Sequence, residues 1–198
     1  MTTQKNTKNQ ILDVVLQMFS ENSYHGTSIR DIAKKIEKRE STIYNHFKSK
    51  DAILQELITK FSKRNFGSII LTDKLINNIS KPEKFFLMLS ENLMSFWNSD
   101  EERMFIKILL KNSKVDGVNN DYSLATYLSD FKALCEFIFR EMVKHKFINK
   151  IDVSTLSHEL ISPLFLFQIE EILGENLGSV KKFNLKNHID FFWNAIKG

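Results

Sequence analysis

Cysteine, proline and glycine are all scarce in this chain of 198 residues. The one cysteine, Cys135, cannot form a disulfide within the chain, and its apolar helical surroundings predict a small core residue. Only 2 prolines and 6 glycines occur. Because both residue types interrupt helices, their scarcity favours a chain that is helical almost throughout. No apolar run approaches the roughly 18 residues of a membrane-spanning helix, so we expect no membrane partner.

Two further classes of protein are disfavoured by what the sequence lacks. The first ten residues are polar and basic, so we expect no signal peptide and a cytoplasmic protein. The five histidines are scattered, without metal-ligand spacing or cysteine partners. No catalytic set and no glycine-rich phosphate loop is visible. We therefore predict that the protein is not an enzyme and has neither a metal nor another cofactor.

Positive charge is concentrated in the first third of the chain. Residues 1–64 hold 12 Lys and Arg against 7 Asp and Glu, a net +5, whereas the remaining residues hold 16 and 17, a net −1. A small basic unit joined to a larger, nearly neutral one indicates a polyanionic partner for the first unit. On charge alone, a solvated lysine-rich surface is an equally good interpretation.

Apolar side chains at helical spacing predict a first helix over about residues 8–22 and a short second helix after it. Gly26 suits a left-handed turn between the two. Ser28 is a good N-cap for the second helix, and Asp31, three residues later, completes a capping box.

A polar turn at Glu37–Arg39 separates the second helix from a third, predicted over about residues 40–47. Ser49 then caps a fourth helix. Beyond residue 66 the pattern predicts a series of longer helices, one of which begins at Pro82. Loops are predicted at residues 116–120 and 174–178.

Two stretches of this helix-turn-helix pattern match a known family. Gly26-Thr27-Ser28-Ile29-Arg30-Asp31-Ile32-Ala33 and Ser41-Thr42-Ile43-Tyr44-Asn45-His46-Phe47-Lys48-Ser49-Lys50 closely resemble the DNA-binding signature of the tetracycline-repressor (TetR) family. The likeness covers about residues 8–58. It implies an all-α fold, with a three-helix DNA-binding domain at residues 1–50 and a helical effector-binding and dimerisation domain at residues 51–198. It also implies a cytoplasmic transcriptional regulator, most simply a repressor.

Chemistry assigns roles to the side chains around the third helix. Short polar groups reach base edges in the major groove, whereas longer cationic or amphipathic donors grip phosphates. The base-reading candidates are Ser41, Thr42 and Asn45, and the phosphate-contacting candidates are Arg30, Arg39, Tyr44, His46, Lys48 and Lys50. Arg30 also has the reach to contact a guanine edge. Packing of Tyr44 against the first helix and a solvated His46 are the alternatives.

The turn before the third helix departs from the family pattern. Members of the family usually have Gly, an aliphatic residue and then Ser or Thr there, whereas this chain has Glu37, Lys38 and Arg39. Losing Gly from a left-handed position costs about 1 kcal/mol. Glu40 repels phosphates but can accept a hydrogen bond from a cytosine amino group. These departures motivate an alternative, a TetR-like interaction protein or coactivator that has lost specific DNA binding.

The resemblance implies two further partners besides double-stranded operator DNA. An excess of aromatic residues indicates a small, largely apolar effector, with candidate contacts Phe86, Trp97, Phe105, Phe131 and Phe165. Close packing of these rings without a cavity is the alternative. The apolar last two helices predict a homodimer, with candidate interface residues Leu160, Leu164, Phe167, Ile189, Phe192 and Trp193. Burial of those residues within one protomer is the alternative.

Overall fold

The computed structural model describes residues 2–111, 122–174 and 183–197, with side chains from residue 7 onward. Every regular element in these ranges is a helix, which confirms the predicted all-α fold. The helices are α1 (Thr2–Asn22), α2 (Ile29–Lys35), α3 (Glu40–Tyr44), α4 (Lys50–Ser62), α5 (Phe66–Ile70), α6 (Asp73–Ile76), α7 (Pro82–Trp97), α8 (Asp100–Lys111), α9 (Leu124–Lys144), α10 (Val153–Leu173) and α11 (Leu185–Ile196). The loop predicted at 116–120 lies outside the described residues, as does the loop at 174–178 apart from Gly174.

Helices begin where the capping residues predict. The Ser28 hydroxyl accepts from the Asp31 amide at 3.1 Å, and the Asp31 carboxylate accepts from the Ser28 amide at 3.0 Å. A hydrogen bond from the Ser28 hydroxyl to the Asp31 carboxylate, and then the bond from the Ser28 amide, hold the pKa of Asp31 below its usual range. Ser49 caps α4 by accepting from the Ala52 amide at 3.1 Å. Pro82 opens α7, where its missing N–H costs no hydrogen bond.

The sequence predicted the left-handed backbone position correctly in the turn after α2 and wrongly in the turn after α1. Glu37, in the turn after α2, has φ 55°, as expected from the glycine that usually stands there. After α1, however, the left-handed residue is Ser23, with φ 65°, and not Gly26. Gly26 is needed for a steric reason, because a Cβ there would lie 2.1 Å from the Asn22 carbonyl oxygen.

The third helix is shorter than predicted. It ends at Tyr44, and Asn45 and His46 form a turn in place of the predicted last helical residues. The amides of His46 and Phe47 both donate to the Ile43 carbonyl at 2.9 Å. This tight turn keeps Phe47 in the core, so the predicted inward positions of Ile43 and Phe47 are confirmed.

The chain divides into two compact units. Unit 1 comprises the residues up to Arg64 together with Asp100–Tyr127, and unit 2 comprises Asn65–Ser99 and the residues from Leu128 onward. The packing therefore groups α8 and the first turn of α9 with α1 to α4. The functional division at residue 50 stays a prediction, because it concerns DNA and effector binding, not packing.

The core of unit 1 is formed by α1, α2, α3, α4 and α8. Its fully buried side chains include Ile11, Phe19, Ile32, Ile43 and Phe105. Phe105 of α8 stacks on Phe61 of α4 with ring centroids 4.2 Å apart. The helix α8 is therefore part of the support of the first four helices, although it follows them by nearly 40 residues in the sequence.

Two polar contacts fasten α8 inside unit 1, one at each end. At its start, the carboxylate of Glu102, only 1% exposed, accepts from the Arg64 guanidinium and from the Tyr127 hydroxyl at 2.8 Å. At its end, the Lys111 ammonium donates to the Ser20 and Glu21 carbonyls at 2.6 and 2.9 Å. Those carbonyls belong to the last turn of α1, where helical partners are missing.

The helix α7 lies at the centre of unit 2, where α5, α6, α10 and α11 all pack against it. Its buried face carries Phe85, Phe86, Leu89, Leu93 and Trp97. The rest of α9 contributes a buried stripe through Phe131, Cys135, Ile138 and Met142. Cys135 is thus a core residue, as predicted, and burial raises the pKa of its thiol to about 12.

Candidate nucleic-acid interface

The face of α3 that points away from the core is polar. Ile43 and Phe47 anchor the segment in unit 1, and the helical repeat then turns Ser41, Tyr44 and Asn45 outward, where all three are exposed. Tyr44 is 53% exposed, so about half of its surface faces solvent. The structure thus brings Ser41, Tyr44 and Asn45 onto one accessible surface.

The flanks of this surface hold the remaining candidates. Thr42 and His46 are half-buried, and Lys48 is exposed in the turn before α4. Arg39 stands at the N-cap position of α3 with extended backbone. Its side chain is exposed and forms no ion pair with another described residue, as expected for a phosphate contact.

A basic cleft lies beside α3 in unit 1. Its volume is about 680 Å³, and it is lined by Arg30, Asp31, Ala33, Lys34, Lys38, Arg39 and Glu40. None of its four cations forms an ion pair with another described residue, and Asp31 is engaged in the capping box of α2. Such a surplus of unpaired positive charge attracts a polyanion.

Two residues of this basic cleft, Lys34 and Lys38, were missed by the sequence analysis. Lys34 lies one turn after Arg30 on α2, so the i, i+4 spacing was the signal that could have found it. Lys38 occupies the position that is usually aliphatic in the family turn, and it is exposed. Both extend the positive surface that Arg30 and Arg39 begin.

Lys50 makes hydrogen bonds within the chain in place of the predicted phosphate contact. Its ammonium donates to the carbonyls of Tyr24 at 2.8 Å and Thr27 at 2.9 Å, and it lies 4.1 Å from the centroid of the Tyr24 ring. Two of its three N–H groups are thus used inside the chain. We therefore remove Lys50 from the phosphate-contacting set, because it fastens the α1–α2 connection to α4.

Tyr24 completes this fastening. Its hydroxyl donates to the carboxylate of Asp51 in the first turn of α4, and its ring packs edge-on against Phe19 with centroids 5.5 Å apart. Burial, and then the bond to Asp51, raise the pKa of the phenol above its usual range. The start of α4, next to the polar face of α3, is thereby held in place.

The predicted effector contacts do not form one cluster. In unit 2, Trp97 packs edge-on against Phe131 and Phe165 at 5.2 and 5.1 Å. Phe86 lies about 16 Å away along α7 and contacts Phe139 and Phe192 instead. Phe105 belongs to unit 1. The five-residue pocket is therefore wrong as a set, because sequence spacing did not separate the two cores.

Four buried polar atoms of unit 2 are without hydrogen-bond partners among the described residues. They are the indole Nε1 of Trp97, the amide Oε1 of Gln168, the hydroxyl of Ser90 and, on α11, the Nε2 of His188. The other end of the Gln168 amide donates to the Trp97 carbonyl at 3.2 Å. Because buried polar groups are nearly always hydrogen-bonded, such atoms indicate a place for a bound molecule or ordered water.

Most of the predicted dimer residues are buried in their own protomer. Leu160, Leu164, Ile189 and Phe192 are at most 4% exposed, so these four assignments are wrong. Phe167 and Trp193 are half-buried. The apolar side chains that α10 and α11 do expose are Leu166, Leu173 and Phe191, at 60%, 65% and 75%.

Two further searches of the described residues bear on the class of protein. No helix there is long and apolar enough to cross a membrane. No group of three or more His, Cys, Asp or Glu side chains within those ranges is arranged to hold a metal ion.

Comparison with known proteins identifies the family that residues 11–57 match. The sequence model described as "Bacterial regulatory proteins, tetR family" matches residues 11–57, which contain α2, α3 and most of α1 and α4. The chain is 25% identical over 178 residues to IcaR of Staphylococcus aureus, a negative transcriptional regulator of the biofilm operon icaADBC, covering 88% of this chain and 89% of IcaR. It is 23% identical over 140 residues to YttP of Bacillus subtilis, covering 71% of this chain and 66% of YttP.

A solved structure extends the likeness to the whole fold. The regulator FadR of Bacillus subtilis, in complex with stearoyl-CoA, superposes with a TM-score of 0.61 over 93% of this chain and 95% of FadR, at 17% identity. At that identity the likeness concerns the fold alone. Three findings are consistent with one another: the match of residues 11–57, the similarity to regulators such as IcaR, and the fold shared with FadR. Residues 11–57 therefore carry the DNA-binding region of the TetR family of bacterial regulatory proteins, and the chain is similar to bacterial transcriptional regulators over most of its length.

Proposed function

We propose that this protein represses transcription by binding operator DNA as a homodimer, and that a small ligand releases it. The observation that carries the proposal is the exposed polar face of α3 beside the basic cleft of α2 and its turn. IcaR, which is named a negative regulator, supports repression over activation. Since its partner is chromosomal DNA, the protein acts in the cytoplasm.

The roles of the reading residues follow from their length and exposure. Ser41, Thr42 and Asn45 are short enough to contact base edges when α3 enters the major groove. Tyr44, His46 and Lys48 reach the phosphates on either side of that groove. The cations of the basic cleft, Lys34 and Lys38 among them, lie on the same part of unit 1 and add phosphate contacts that position the helix.

The homodimer is proposed on the exposed apolar side chains of α10 and α11. Leu166 and Leu173 are seven residues apart, so they lie on one face of α10, and Phe191 is the most exposed large apolar side chain of α11. Covering this face by the same face of a second copy gives an isologous interface. A two-fold dimer presents two reading heads, so the operator is expected to be roughly palindromic.

The ligand is proposed to be small, neutral and mostly apolar. Its body would pack among the rings around Trp97, and a single polar group would accept from the Trp97 indole and donate to Gln168. An unpartnered buried polar group costs about 1–3 kcal/mol, so a ligand that pairs these atoms gains that energy back. FadR, which holds stearoyl-CoA, supports only the apolar body of the ligand, because stearoyl-CoA joins a long apolar chain to an anionic head.

The ligand acts on DNA binding only through its differential affinity for two arrangements of the dimer. Coupling of about 1–3 kcal/mol changes operator affinity by roughly 5- to 150-fold. Because linkage is reciprocal, operator DNA weakens ligand binding by the same factor. Within unit 1, α8 contacts α1 through Lys111 and the segment after α4 through Glu102, so we expect it to move together with the DNA-binding helices α1 to α4.

The proposal is tested by selecting bound fragments from a genomic library and comparing variants on the enriched duplex. Tyr44→Phe, His46→Ala and Lys48→Ala should weaken binding to every sequence alike, whereas Thr42→Ala and Asn45→Ala should change the preferred bases. Asn77→Ala, an exposed asparagine of unit 2, is the matched control. If no fragment is enriched over bulk DNA, the protein is not a sequence-specific repressor, and the interaction-protein alternative replaces it.

A further inference from the structure

A groove in unit 2 has no role in DNA binding, in the proposed dimer face or in the ligand site at Trp97. It lies between the first turns of α7 and one flank of α11, and its volume is about 440 Å³, within the size range of small-molecule sites. We propose that this groove binds an amphiphile with one anionic head group and an apolar chain or ring. The proposal stands independently of operator binding.

The floor of the groove is apolar. Leu87 of α7 and Ile189 and Trp193 of α11 line it, together with Pro82 at the start of α7. Trp193 is half-buried, and its ring centroid lies 6.1 Å from that of Phe86, so the core covers part of the indole and leaves part exposed. An apolar chain that covers the exposed part and the Leu87 side chain removes both from water.

The rim of the groove is cationic. Lys81, Lys84 and Lys186 border it, against the two carboxylates of Glu83 and Asp190. Lys186 is paired with Asp190 at 2.6 Å, whereas Lys81 and Lys84 form no ion pair with any described residue. These two ammonium groups are therefore available to an anion.

The backbone at the same place also favours an anion. Lys81 is the N-cap residue of the 16-residue helix α7, and its side chain cannot and does not accept a capping hydrogen bond. The first amides of a helix need acceptors, and the helix dipole places partial positive charge there. A carboxylate or phosphate between Lys81 and Lys84 would supply those acceptors, which a neutral ligand would do less well.

Positive charge also borders a second depression that shares Trp193. This depression has a volume of about 280 Å³ and is lined by Lys146, Lys197, Asn149, Trp193 and three apolar neighbours, with no acidic residue. Five lysines and two carboxylates thus border the two depressions that share Trp193. This surplus of positive charge around an apolar floor is complementary to an anionic amphiphile and unfavourable for a cationic one.

Titration with amphiphiles of matched chain length tests the assignment. Dodecyl phosphate and dodecanoate, kept below micelle-forming concentrations, should bind the full-length protein and change the Trp193 fluorescence, and Trp193→Phe should abolish that change. Inorganic phosphate should bind at least about tenfold more weakly, because it cannot use the apolar floor. Dodecyltrimethylammonium should also bind at least about tenfold more weakly.

Two pairs of variants distinguish binding at the head-group site from nonspecific binding. Lys81→Gln with Lys84→Gln should lower dodecyl phosphate affinity about tenfold, whereas Lys74→Gln with Lys144→Gln, of equal charge, should not. Leu87→Ser should weaken the dodecyl compounds, and its neighbour Met88→Ser should not. Unchanged melting temperatures show that the variants are folded. Equal binding of the cationic amphiphile, or loss of affinity in neither test variant, would overturn the proposal.

Discussion

Glu37 occupies a turn position at which the TetR pattern usually has glycine, and this substitution is expected to lower stability. Its φ of 55° is a conformation that suits glycine and strains a residue with a Cβ. We predict that Glu37→Gly raises the free energy of unfolding by about 1 kcal/mol. Denaturant titration would measure this. Gln55→Gly, on the exposed face of α4, is the control and should lower stability by about the same amount.

His188 makes stability depend on pH. It lies half-buried in α11, its Nε2 has no partner among the described residues, and burial lowers its pKa despite the opposing charge of Glu159. A lowered folded-state pKa means that the unfolded chain takes up the proton first, so stability is complete above the ordinary pKa of 6.5 and is lost as pH falls below it.

The corresponding measurement is the denaturant midpoint between pH 7.5 and pH 5, which are about one unit and one and a half units either side of the unfolded pKa. The wild-type midpoint should fall towards the acid end, and His188→Gln should fall less steeply. If the denaturant midpoint falls equally with pH in the two proteins, then folding does not lower the pKa of His188.

At the scale of elements, a buried ion pair joins Arg64, just after α4, to Glu102 at the start of α8. Arg64→Met would leave the Glu102 carboxylate buried and unpaired, so we predict that it lowers the free energy of unfolding by about 3–5 kcal/mol. Arg64→Met with Glu102→Leu should recover most of that loss, because both charges are removed.

Glu101 provides the control for this double-mutant cycle. Its carboxylate lies 3.6 Å from the same guanidinium but is 61% exposed, so Glu101→Gln should cost no more than about 1 kcal/mol. If Arg64→Met and Glu101→Gln lower the free energy of unfolding equally, then the burial of Glu102 does not determine how strongly α8 is held to α1 to α4.

Local elements were predictable from the sequence, and the partners of long side chains were not. Ser28, Ser49 and Pro82 act within one helical turn, so their sequence neighbours suffice to predict the helix starts. Lys50 finds the carbonyls of Tyr24 and Thr27, more than 20 residues earlier, and no periodicity encodes such a contact. The α1–α2 turn was mispredicted because Gly26 is required by a steric contact and Ser23 takes the left-handed conformation.

The same distinction applies to the site residues. A stripe of apolar residues on α10 or α11 shows that one face is covered, but not whether its own chain or a second copy covers it. The structure resolves this by burying Leu160 and Phe192 and exposing Leu173 and Phe191. The reading face of α3 was predictable because two apolar anchors, Ile43 and Phe47, fix which side chains point outward.

For the whole molecule, the proposed dimer is the feature on which the proposed operator binding depends. Leu173→Glu and Phe191→Glu each place a charge on the proposed interface, so we predict a monomer at micromolar concentration and weakened binding to a palindromic site. Sedimentation equilibrium gives the mass directly. Phe137→Glu, which alters an exposed aromatic of α9, is the control and should remain dimeric, whereas a dimer in all three variants would place the interface elsewhere.

Sequence-specific binding to duplex DNA is the central claim, and fluorescence anisotropy tests it most directly. The selected genomic duplex and a scrambled duplex of equal composition are titrated with the full-length protein between about 50 and 200 mM salt. We predict at least about 1,000-fold tighter binding to the selected duplex and a steep loss of affinity for both with salt, as counterion release requires. Equal affinity for the two duplexes at every salt concentration would contradict the claim.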